Sequence, residues 1–173
     1  IKFFNDPACA VMKHVNPSGA ATAETAIAAY TKARDCDPRA AFGSTIAFNT
    51  EVNEEVAAEI MSTFCECVVA PSYTEEAIAA FNDQERFKLN KQIRILQCGD
   101  INTLPKFVGE AGPQHNTIKT LADGSLVVAE PLLTNLKDLS QLKPATAENK
   151  ACGKVTSEVA VSEQQLKDLL TAW

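Results

Sequence analysis

The chain has 173 residues, 46% apolar and 22% charged, with 16 Lys plus Arg against 22 Asp plus Glu for a formal net charge of -6. That length suits one domain able to bury roughly 70% of the surface its unfolded chain exposes, and the composition is that of a soluble globule, not a disordered chain. No apolar run reaches the roughly 18 residues of a membrane span, the N-terminus IKFFNDPACA lacks a signal peptide's succession, and a net-negative chain without a dense basic stripe repels a phosphate backbone, which sets aside membranes and nucleic acid as partners.

In chain order, the continuous apolar run Ala8–Lys13 predicts a buried strand. Asn16-Pro17-Ser18-Gly19 reads as a turn, with Gly19 free to take a left-handed position. Thr22 is placed to cap a helix over 23–34, which Asp37-Pro38 stops. Ser44–Phe48 reads as a strand, and Asn53 as the cap of a helix over 54–64 with Glu54 and Glu55 in its first turn. A buried-strand pattern follows over 66–70, then a helix over 75–81 capped by Thr74, a polar and solvated stretch over 82–91, and a strand over 92–96. This β-α-β-α-β-α-β succession predicts an α/β layer architecture around a mostly parallel sheet, with helices on its faces.

Residues 101–173 are less regular than this core of about 1–100. Residues 118–121 are too short to assign, Asp123-Gly124 signals a turn before a strand over 125–130, and 136–142 reads as a short helix. A strand over 154–158 follows, and Ser162 with Gln165 forms a capping-box pattern for a helix over 163–173. The sequence starts on Ile1 and reaches Trp173 inside a helical pattern, so it reads as part of a longer polypeptide. The six cysteines, two of them (Cys9 and Cys67) in apolar strand runs, read as reduced thiols of an intracellular, cytoplasmic protein.

The candidate chemistry gathers at Lys13-His14, where a buried strand gives way to a turn. His14 can exchange a proton near neutral pH, and Lys13 can hold an anion or stabilise developing charge. A solvated strand-end lysine beside a hydrogen-bonded histidine is the plainer alternative. Asn16-Pro17-Ser18-Gly19 ahead of a capped helix can cradle an anion or be an ordinary turn. Gly43 lets a flat ligand approach the backbone with Phe42 as an apolar contact, or it is a packing turn. Glu66, opening a buried strand, can accept hydrogen bonds from a ligand hydroxyl or amine, or lie on the rim. Cys65 and Cys67 are spaced i,i+2, no CxxC or His-Glu-xx-His is present, and no metal site is expected.

The ordered blocks VMKHVNPSG (11–19), CDPRAAFGSTIAFN (36–49) and ECVVAPS (66–72) followed by Glu75-Glu76-Ala77 resemble the bifunctional purine-biosynthesis enzymes that couple AICAR formyltransferase to IMP cyclohydrolase. The resemblance covers roughly the first hundred residues closely. It is looser over 125–128 and in the helix that ends at Trp173. It implies one of two cytidine-deaminase-like α/β/α lobes of the transformylase region, a homodimer with active sites near the subunit interface, and formyl transfer from 10-formyltetrahydrofolate to AICAR without a catalytic metal. On that resemblance Lys13 and His14 fall on the family's catalytic pair, Asn16 on its motif asparagine, Gly43 on a nucleotide-contacting glycine with Phe42 beside it, and Glu66 on an acidic residue that contacts AICAR. It also implies that the cyclohydrolase domain, the start of the transformylase region and the second lobe lie outside this sequence, which leaves the fragment inactive or nearly so. Two other readings remain open: a nucleotide- or folate-binding module without chemistry, and a fragment whose main property is self-association.

Overall fold

A computed structural model describes residues 1–142, 146–151, 153–156 and 161–172. They fall into two compact units, Ile1–Leu104 and Pro105–Trp173, each described by itself.

The first unit is built on a five-stranded sheet in the order β2-β1-β3-β4-β5, formed by β1 (Ala8–Lys13), β2 (Asn16–Thr22), β3 (Ser44–Phe48), β4 (Cys65–Ala70) and β5 (Arg94–Gln97). β1 pairs antiparallel with both β2 and β3, while β3–β4 and β4–β5 are parallel. Four strands therefore run one way and β1 alone runs against them. The mostly parallel α/β sheet read from the alternation is present.

Side-chain alternation divides the sheet into two unequal faces. Cys9 and Val11 of β1 lie opposite Phe48 and Ile46 of β3, and Ile46 lies beside Val68 of β4. These residues are all buried, and they share one core with Tyr30 of α1 (Ala26–Asp35), Val56 and Ile60 of α3 (Glu54–Met61), and Phe81 of α4 (Glu75–Asn82). Ala41 of the short α2 (Pro38–Ala41) packs on the same core. Arg34 ties α1 to α3 through a 2.5 Å contact with Glu59. Burial keeps the Cys9 and Cys65 thiols neutral; that of Cys65 is pushed up to about 12. The other face carries Ala10, Ala47 and Val69, only half-buried, and Leu96, which is exposed. Among the described residues of the first unit, no α-helix covers it. Helices on both faces were expected; here all four serve one.

Several local readings shift, each for a physical reason. Residues 16–19 are not a turn: they open β2, and the chain reverses at His14-Val15, because Lys13 pairs with Asn16. Pro17 is tolerated because β2 is an edge strand. Pairing of Ala8 with Thr22 extends β2 over the expected cap, so α1 starts three residues late, with Thr25 accepting the Ala28 amide at 3.3 Å. The Asn53 and Thr74 caps are formed as expected, at 3.0 and 3.1 Å. α3 stops at Met61 because the carbonyls of Met61 and Thr63 are taken by Asn90. Asn90 is itself 2% exposed, so the stretch 82–91 is not wholly solvated.

The second unit holds two antiparallel hairpins, β6 (Thr117–Thr120) with β7 (Leu126–Ala129), and β8 (Thr146–Asn149) with β9 (Gly153–Thr156). The Asp123-Gly124 turn joins the first pair, with Gly124 at φ 81°. Of the residues read as a short helix over 136–142, Leu139–Gln141 form one 3-10 turn. α5 (Glu163–Ala172) carries the expected reciprocal capping box: the Ser162 amide donates to Gln165 at 2.8 Å and the Gln165 amide to Ser162 at 3.2 Å. Residues 157–158 of the expected strand, Trp173 and Cys152 lie outside the described residues. Among the described residues the five other cysteines are free, and no helix is long and apolar enough to cross a membrane.

Gly19 is extended, not left-handed, and is required for space: a Cβ there would sit 1.9 Å from the Ala33 carbonyl oxygen and 2.8 Å from the Cys36 Cβ. Gly19→Ala is expected to lower unfolding free energy by about 1–3 kcal/mol or more, as overpacking does. Urea denaturation checks this; an unchanged midpoint would mean that α1 shifts freely on β2.

Candidate functional site

The site is assembled where β1 ends. Because β1 runs against its neighbours, its C-terminal end lies at the N-terminal ends of β3 and β4. Ligands in open parallel sheets usually sit outside the carboxyl ends of the strands. Here that description holds for β1 alone, and the chain entering β3 and β4 supplies the rest.

Lys13 is half-buried, and its ammonium donates to the Phe42 carbonyl at 2.6 Å and the Gly43 carbonyl at 3.4 Å. In a regular strand, consecutive carbonyls point to opposite sides. Gly43 at φ 70° breaks that alternation and lets both face one cation. The Gly43 amide donates in turn to the Phe64 carbonyl at 2.8 Å. A Cβ on Gly43 would meet the Phe64 ring at 3.3 Å and the Lys13 Nζ at 3.4 Å, so glycine answers both the backbone and the crowding. The Phe42 and Phe64 rings lie 5.3 Å apart and tilted by 48°, leaving Phe42 59% exposed as an apolar platform.

His14 and Asn16 are exposed on the hairpin. His14 adopts φ 57°, a conformation costly for a residue with a Cβ. Glu66 is also exposed and sits at a β-bulge: Ser44 pairs with Cys65 and Thr45 with Cys67, leaving Glu66 as the extra residue. A second irregularity leaves Ser18 unpaired opposite the Val11–Met12 step, with its hydroxyl donating to the Val11 carbonyl at 3.2 Å. Bulges of this kind re-aim side chains.

Lys13, Phe42 and Gly43 are thus in direct contact, Asn16 faces Lys13 across the hairpin, and Glu66 is offset by the bulge on the strand beside Gly43. The expected anion cradle at 16–19 is not formed, because those residues are strand and α1 begins seven residues after Gly19. His115 belongs to the second unit, where its Nδ1 accepts the Gly112 amide at 3.0 Å. Among the described residues no group of three His, Cys, Asp or Glu could hold a metal ion. Sequence reading missed Phe64, an aromatic between a helix and a strand, and Asn90, one polar residue among many.

The first unit is of the mixed α/β class, with β1 alone reversed in its sheet and a lysine held against a glycine turn where β1 ends. The AICARFT/IMPCHase bienzyme family profile matches residues 1–173, and the chain belongs to that family. It is 36% identical over 173 residues to the bifunctional purine biosynthesis protein PurH of Sorangium cellulosum (strain So ce56), covering 100% of this chain and 28% of the relative. Identity to the protein of the same name from Anaeromyxobacter dehalogenans (strain 2CP-C) is 34% over 170 residues, 98% of this chain and 29% of the relative. The chain therefore spans under a third of the length of these relatives.

The strain at His14 gives a stability test. His14→Gly is expected to leave the unfolding free energy equal or raise it by up to about 1 kcal/mol, while His14→Val lowers it by about 1–2 kcal/mol. Thermal and urea denaturation of the two variants measure this. A loss in His14→Gly larger than in His14→Val would mean that the imidazole itself holds the hairpin.

Proposed function

We propose that this chain is part of the formyl-transfer half of a bifunctional purine-biosynthesis enzyme, moving a formyl group from 10-formyltetrahydrofolate to the 5-amino group of AICAR. The observation that carries the reading is the junction of Lys13 with Phe42 and Gly43. Two of the sequence blocks that resemble the family meet there in space. Family membership supports the purine context, and the names of the relatives describe a bifunctional protein of purine biosynthesis.

In this reading the AICAR amine attacks the formyl carbon, the bond from that carbon to the folate nitrogen breaks, and a proton passes from the amine toward the departing nitrogen. His14 transfers that proton. Lys13 orients His14 or stabilises the oxyanion and the folate leaving group. Gly43 admits the nucleotide to the backbone, Phe42 offers its exposed ring, Glu66 accepts hydrogen bonds from AICAR, and Asn16 holds the hairpin side of the pocket. The folate is a co-substrate, and no metal takes part.

The strand order with β1 alone reversed supports a cytidine-deaminase-like lobe. In that lobe a third layer lies on the sheet face left half-covered by residues 1–104. The remaining substrate contacts come from a second lobe in a cytoplasmic homodimer. A second reading, a self-associating module without chemistry, is favoured by the β6–β7 hairpin, where Ile118, Leu126 and Val128 are 65%, 63% and 60% exposed.

AICAR-dependent release of tetrahydrofolate tests the proposal. The isolated 173-residue chain is expected to show no turnover, and His14→Ala in the full-length polypeptide to lose roughly 10²–10⁴-fold. Full-length turnover unaffected by His14→Ala removes that residue from the chemistry, and turnover by the isolated chain at the full-length rate contradicts the incomplete-site reading.

A further inference from the structure

Asn90 stands outside the resemblance blocks, yet its side chain makes three hydrogen bonds inside the first unit. It is 2% exposed. Its Oδ1 accepts the Cys65 amide at 2.8 Å, and its Nδ2 donates to the carbonyls of Met61 at 3.1 Å and Thr63 at 2.6 Å. All three bonds fall within residues 61–65, from the last residue of α3 to the first of β4. That connection carries Phe64, whose carbonyl fixes the Gly43 amide and whose ring packs on Phe42. It also sets the start of β4, one residue before the bulged Glu66.

We infer that Asn90 is a positioning residue for the formyl-transfer site, acting through Phe64 and Gly43 on the Lys13 ammonium. The inference rests on the formyl-transfer reading. A buried amide satisfied at both ends has one low-energy placement, because an unpaired buried donor or acceptor is costly. Displacing it releases the Met61 and Thr63 carbonyls and the Cys65 amide together, so the connection moves as a unit. The Gly43 amide follows its Phe64 acceptor, and the two carbonyls that hold Lys13 follow Gly43. Asn90 touches no substrate in this scheme; it sets where the lysine charge is.

The test is a double-mutant cycle on AICAR-dependent formyl transfer in the full-length polypeptide. Asn90→Asp keeps the shape, but it loses the amide donor and turns a carboxylate toward two carbonyls. It is expected to lower kcat/KM roughly tenfold to a hundredfold, mostly through kcat, at a temperature where circular dichroism shows it folded. In a Lys13→Met background the same change is expected to cost less than about threefold of the residual turnover, since the group it positions is gone. Thr74→Ala, which removes the α4 cap without touching the 61–65 connection, serves as the stability control and keeps kcat.

A cost undiminished in the Lys13→Met background overturns the inference, as does a kcat for Asn90→Asp within about twofold of the parent. Lys13→Met with turnover intact strikes the formyl-transfer reading itself. An inactive Lys13→Met beside a fully active Asn90→Asp strikes Asn90 alone. If Asn90→Asp does not fold, Asn90→Ser, a smaller neutral polar residue, goes through the same cycle and is judged by the same outcomes.

Discussion

An ammonium that exchanges water for protein oxygens needs those oxygens fixed in advance by the fold. Lys13 meets that demand with two consecutive backbone carbonyls, those of Phe42 and Gly43. Such a pair converges only where the chain leaves extended geometry, which the φ of 70° at Gly43 provides. The glycine is held by the Phe64 carbonyl and sheltered by the Phe64 ring. One cation therefore binds the end of β1 to the entries of β3 and β4, and every candidate residue in the first unit is placed relative to it.

The direction of β1 makes this contact possible. Had β1 run parallel to β3, Lys13 would lie at the opposite edge of the sheet from Gly43. Antiparallel to β3, the first strand of the β1–β2 hairpin instead pairs Met12 with Thr45 and brings Lys13 alongside the residues just before β3. The same hairpin turns through His14 in a left-handed conformation that a glycine would occupy more cheaply. Strain of that kind persists where the surroundings over-determine it, and together with the bulges at Ser18 and Glu66 it concentrates irregular geometry at one end of an otherwise regular sheet.

The regular part of this arrangement was legible in the residues. Apolar runs gave β1 and β3 to the residue, and Asn53 and Thr74 marked their helices because a side-chain cap is a local event. The failures share one cause, long-range pairing. Thr22 looks like a cap until Ala8 pairs with it, residues 16–19 look like a turn until β1 lies beside them, and Gly19 looks like a turn glycine until α1 packs on it. At the site, residue types pointed to Lys13, His14, Asn16, Phe42, Gly43 and Glu66, but the link between Lys13 and Gly43 spans 30 residues and has no local signature. Asn90 is the extreme case. Its polar neighbours predict solvent, and only the carbonyls left over at the end of α3 show why it is buried.

In the proposed function the Lys13–Gly43 junction and the Glu66 bulge face one nucleotide. A crystal structure of the full-length polypeptide with AICAR bound tests it most directly. A single AICAR is expected within hydrogen-bonding distance of the Lys13 ammonium, the backbone at Gly43 and the Glu66 carboxylate. An AICAR seated elsewhere, with Lys13 and Glu66 both facing solvent, would contradict it.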